Sequence, residues 1–163
     1  MDIVFYMASA IAIFATVMVI TRSNPVHALL YMVLSLLSVA LIFFVLGAPF
    51  VAALEAIVYA GAIVVLFVFV VMMLDLKREV EEAQRDWARP RAWIIPAALA
   101  AILLAQLVYV LVVQPGEPGV MTAQGPREVG LTLFGPYLLA VELSSILLLA
   151  GLLGAYHLGR SRP

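Results

Sequence analysis

The stretch "LEAIVYAGAIVVLFVFVVMMLDL", from Leu54 to Leu76, decides the fold. It is long and apolar enough to cross a bilayer, which takes about 20 residues for about 30 Å of hydrocarbon. Yet it carries a carboxylate at Glu55, a phenol at Tyr59 and a glycine at Gly61. A lipid-facing helix has no use for these three groups, so each asks for a reason.

The rest of the chain matches that stretch in character. Of its 163 residues 66% are hydrophobic and only 12% charged, with a mean hydropathy of +1.15. Soluble domains run near 45–50% apolar and about 25% charged, so the solvent for this chain is lipid. It has no cysteine, which excludes a disulfide framework and thiolate-held metals or iron–sulfur clusters. Its two histidines, His27 and His157, are far apart in sequence, a poor start for a haem or zinc site. A net charge of −1 gives nucleic acid nothing to bind. The N-terminus opens on Asp2 and runs into a span-length apolar stretch, unlike a signal peptide.

Outward from the opening stretch, five apolar runs predict an all-α integral membrane protein, one membrane domain over residues 1–163. The spans fall at about 3–20, 26–46, 50–74, 92–113 and 131–158. "NPVH" opens the second, with Asn24 suited to cap and Pro25 to the first helical turn. "LGAPF" at 46–50 is a tight turn. The 75–91 loop is a solvated connector with a short helix, and Trp87 and Trp93 sit at headgroup level. The 114–130 loop, rich in Pro and Gly, is expected to be irregular. One side of the five-span plan holds only Arg127. The other holds Arg22, Lys77, Arg78, Arg85, Arg89, Arg91, Arg160 and Arg162. The positive-inside rule then sets the N-terminus outside and the C-terminus in the cytoplasm.

Chemistry in such a chain rests on polar groups within the spans. Glu55 lies about six residues past Pro49, or about 9 Å deep, and Glu142 about 15 Å deep counted from Thr132. An acid near a helix centre costs about 2.5–3.5 kcal/mol on the insertion scale and belongs in a bundle interior or wet cavity. Each acid fits a proton relay, and each equally fits a packing hydrogen bond, for Glu142 beside Ser144 and Ser145. Tyr59 follows Glu55 by one turn, on the same face. Gly61 weakens the helix, and the β-branched residues after it crowd the preceding turn. A π-bulge there would relax the strain. Gly61 also fits plain close packing, as an extension of the small row Ala52, Ala56 and Ala60. "GLLG" at 151–154 is a helix contact surface, and His27 is interfacial.

"NPVHALLYMVLSLL", the third-span stretch and "GLTLFGPYLLAVELSSILLLAGLLGAYHLGR" closely resemble the subunit J family of bacterial NADH:quinone oxidoreductase, respiratory complex I. The resemblance covers spans one to three and five. It implies a multi-pass subunit of the bacterial inner membrane, in the membrane arm beside subunits A, H and K, with no cofactor of its own. FMN, iron–sulfur clusters and a quinone would belong to the complex as a whole. It also implies a third helix that switches between α and π-bulged forms near Tyr59 and Gly61. Val65 and Phe67 would gate a water path, and Glu55 would stand at the head of that helix. Two other classes stay open: a subunit of a related cation/proton antiporter or membrane-bound hydrogenase, and a purely structural assembly subunit.

Overall fold

The computed structural model describes residues 2–73, 90–113 and 124–160. Among these residues all regular structure is helical, and five helices are long and apolar enough to cross a membrane. The first two are α1 (Asp2–Thr21) and α2 (Pro25–Val45). The third span, Pro49–Met73, is built from α3 (Pro49–Leu54), a π-helical segment (Glu55–Ile63) and α4 (Val64–Met73). Next come α5 (Pro90–Val113), the short α6 (Pro126–Leu133) and α7 (Leu138–Gly159). The chain divides into two compact units, Met1–Ala123 and Gln124–Pro163.

In the first unit α2 is the hub, packed against α1, the third span and α5. Its start follows from sequence. The Asn24 side chain accepts hydrogen bonds from the backbone N–H groups of Val26 and His27, at 3.0 and 3.4 Å, and Pro25 fills the first turn. Its end is a Schellman motif: Gly47 N–H donates to the Phe44 carbonyl at 3.1 Å and Ala48 N–H to Phe43 at 2.9 Å. That closure needs Gly47 at φ +84°, a conformation that disfavours any Cβ.

The α1–α2 hairpin has a coiled-coil-like seam. Val4, Ala8, Ile11 and Ala15 are buried on α1, and His27, Tyr31, Leu34, Ser38 and Leu41 on α2. Both series step by alternating fours and threes, the 3.5-residue repeat of interlocking helices. Alanines at Ala8 and Ala15 let the backbones approach, which is how helices associate where lipid removes the hydrophobic drive. Polar clamps reinforce the seam. Thr16 and Ser35 hydroxyls bond each other at 2.8 Å across the pair, and Ser35 also donates to the Ala12 carbonyl at 3.3 Å. The Arg22 guanidinium lies 5.5 Å from the Tyr31 ring centroid, a cation–π contact at the helix ends. His27 is buried among the helices, its ring edge-on to Trp93 at 6.5 Å.

The second unit corrects two expectations. The segment before the last span is not irregular up to residue 130: Pro126–Leu133 is helical, with Pro126 in its first turn. The fifth span does not start near 131 either. A turn at 134–137 separates α6 from α7, and the span begins at Leu138. Gly135 makes the turn possible, since a Cβ there would meet the Leu131 carbonyl oxygen at 2.7 Å. The helix expected in the 75–91 loop lies outside the described residues, apart from 90 and 91 at the start of α5, as does Trp87.

Candidate functional site: the third span

The third span packs on α2 through one row. Ala52, Ala60 and Val64 are buried and Ala56 is half-buried. These residues are spaced by four. In an α-helix each step of four overshoots a full turn by about 40°, so Ala52 and Val64 would diverge by about 120°. They do not diverge here, because the π segment absorbs one extra residue. The Val64 N–H donates to the Tyr59 carbonyl five residues back, the π pattern, and shares this bond with Gly61. The π segment therefore keeps a straight row of small residues against α2 that an α-helix would wind away.

Gly61 sits in the middle of this segment. A Cβ built on it would meet the Ala56 carbonyl oxygen at 3.4 Å, ordinary contact. Space alone does not demand glycine in this register; its effect is to lower the helix's own preference for any one register.

Tyr59, Val65 and Phe67 each keep about half their surface open: 52%, 50% and 49%. Glu55 opens the π segment and is half-buried. Tyr59 comes just before Ala60 of the row and Val65 just after Val64, so the open surfaces of the two lie on opposite flanks of the α2-facing row. Glu142 belongs to the second unit, exposed in the first turns of α7. Counted from Leu138 it is four residues in, about 6 Å, shallower than the 15 Å expected from a start at Thr132. The Ser144 and Ser145 hydroxyls bond the carbonyls of Ala140 and Val141 on their own helix, at 2.7 and 2.9 Å. A Cβ on Gly151 or Gly154 would meet nothing within 4 Å, so neither glycine is required by close packing within the second unit.

Sequence reasoning missed Val64, whose N–H marks the π register and whose side chain ends the row. The signal was present: four small or β-branched residues at steps of four cannot share one face of a long α-helix.

Residues 15–158 match the family of NADH-ubiquinone/plastoquinone oxidoreductase chain 6. The chain is 56% identical to NADH-quinone oxidoreductase subunit J of Pseudomonas aeruginosa over 161 residues, 98% of this chain and 97% of that protein. Identity to subunit J of Escherichia coli K12 is also 56%, over 98% of this chain and 87% of that protein. To subunit J of Buchnera aphidicola subsp. Schizaphis graminum it is 44%, over 99% of each. With five spans and this match over nearly its whole length, the chain belongs to the NADH-quinone oxidoreductase subunit J family, as a multi-pass membrane member.

Proposed function

We propose that the chain is a membrane-arm subunit of the proton-pumping complex I and helps couple quinone reduction to proton translocation by a change of register in its third span. The observation that carries this is the π segment at Glu55–Ile63, with Val64 bonded five residues back to Tyr59. A π segment is one residue away from an α-helix. If the bulge is lost, everything beyond it turns by about 100°. Ile63 then takes the place of Val64 against α2, Val64 that of Val65, and Leu66 that of Phe67. Each of these three exchanges is apolar for apolar, so the part of the span beyond the bulge packs at similar energy in both registers, as a bistable element requires. At the position of Phe67 an aromatic ring gives way to a smaller aliphatic side chain. That change of bulk, about two turns beyond Tyr59, opens or closes room for water. Quinone chemistry in neighbouring subunits acts by favouring one register.

The open surfaces of Tyr59, Val65 and Phe67 are where partner subunits complete the path, and the resemblance names A, H and K for that role. FMN, iron–sulfur clusters and quinone then belong to other subunits. Glu55 and Glu142 hand on protons, the N-terminus faces out and the C-terminus the cytoplasm of a bacterial inner membrane. The identity to subunit J over 98% of the chain supports this assignment over an antiporter or hydrogenase subunit.

Gly61→Leu tests the switch. It stiffens the segment and adds bulk on a half-buried position, so coupled turnover should fall while assembly persists. Normal NADH oxidation with normal proton translocation would return the third span to a packing role.

A further inference from the structure

α5 packs on both α1 and α2, and two polar side chains enter the apolar core that the three helices share. Ser38 on α2 is wholly buried, between Leu34 and Leu41; Gln106 on α5 is 7% exposed, between Leu103 and Val110. All four flanking residues belong to one core cluster, so Ser38 and Gln106 turn toward the same interior. They also stand at nearly the same height. α2 and α5 are separated by one span and so run in the same direction, and the ring contact of His27 with Trp93 levels them at their starts. Eleven residues on from His27 bring Ser38 to about 17 Å, and thirteen on from Trp93 bring Gln106 to about 20 Å. The Ser38 hydroxyl donates to the Leu34 carbonyl at 2.7 Å, which leaves its oxygen able to accept. The Gln106 amide has no hydrogen-bond partner at either its nitrogen or its oxygen among the described residues, and both atoms are closed off from the surface.

We propose that this layer of the core binds water, which bonds both atoms of the Gln106 amide and bridges it to the Ser38 hydroxyl. Buried polar groups are hydrogen-bonded as a rule, and hydrocarbon offers an orphan nothing in exchange. Two polar groups that share a layer without bonding each other are the setting in which a water sits between. The partners suffice: a buried water takes about three hydrogen bonds, and here an amide oxygen, an amide NH2 and a hydroxyl oxygen converge. Room comes from the serine. The buried row on α2 reads Tyr31, Leu34, Ser38, Leu41, so a small side chain stands where its neighbours are large. Enclosure selects the occupant, because nothing larger than water fits beside two atoms shut inside a helix core. The apolar residues above and below isolate the site, so the water fastens α5 to α2 and does not relay protons. None of its residues belongs to the third span, and the site does not depend on the register change proposed there.

The test is electron cryomicroscopy of the assembled complex at a resolution that shows ordered water, for the wild type and for Gln106→Leu. The site predicts water density about 2.6–3.2 Å from the Gln106 amide and within the same reach of Ser38 Oγ. Gln106→Leu should lose that density and keep NADH oxidation coupled to proton translocation. An amide bonded directly to Ser38 or to a main-chain carbonyl, with no water beside it, would overturn the proposal, and so would density that persists in the variant. Loss of coupling in an assembled Gln106→Leu complex would overturn the fastening role. Should the variant not assemble, the wild-type map decides alone: water at the amide upholds the site, and an amide dry at both atoms overturns it.

Discussion

Deleting Ala62 should convert the third span to a continuous α-helix without undoing its packing. Ala62 is exposed and lies within the π segment. Without it, Ala52 and Val64 are eleven residues apart, and eleven α-helical steps bring them to within about 20° of one face. The π segment achieves the same alignment with twelve. The α2-facing row therefore survives, and the span shortens by about 1.5 Å, still enough for a bilayer. Were the deletion instead to leave the π geometry in place, Val64 would swing about 100° off α2. That would forfeit on the order of 1 kcal/mol of contacts, at about 0.1–0.2 kcal/mol per atom pair. The assay pairs yield and thermal stability of the purified complex with NADH-driven proton translocation in vesicles. The expected outcome is normal assembly with lost coupling, because the single register left cannot alternate. Failure to assemble would refute the alignment argument. Normal coupling would refute the need for two registers.

Gly47→Ala should destabilise the α2–α3 turn by about 1–2 kcal/mol, the cost of a left-handed residue with a Cβ, read as a lower thermal midpoint of the complex; an unchanged midpoint would mean the turn relaxes. Thr16→Val and Ser35→Ala should couple in a double-mutant cycle by about 0.6 kcal/mol, the average for interhelical hydrogen bonds in membranes, and strict additivity would show that the 2.8 Å contact is not held in lipid. Glu55→Gln keeps the shape and a hydrogen-bonding side chain but loses the titrating proton. It should slow coupled turnover if the acid relays protons; an unchanged rate and stoichiometry leave it a packing residue.

Much of this architecture is legible in the sequence because the bilayer imposes its own length scale. Five runs of sufficient length become five spans, and "NP" before the second marks its start to the residue, since an Asn cap followed by proline leaves few alternatives. The start of the fifth span is harder to read because "GLTLF" is apolar enough to look continuous with α7. The Gly135–Pro136 pair is the signal of a turn, and it outweighs hydropathy because proline cannot donate the bond that would continue the helix. In the third span, glycine and a β-branched run mark a weak helix, but they do not say how the weakness is used. Packing supplies the answer: the row on α2 demands a period of four, and only the partner helix makes the demand visible. The role of Tyr59, Val65 and Phe67 is hidden for the same reason, since the described chain leaves about half of each uncovered.

The most direct test is to determine the assembled complex at rest and during turnover with NADH and quinone, and follow one hydrogen bond. In the π register the Val64 N–H is bonded to the Tyr59 carbonyl; in the α register it moves to Ala60. A switching third span should show both partners in different particle classes, with their proportions changing on turnover. A single partner under every condition would contradict the switch.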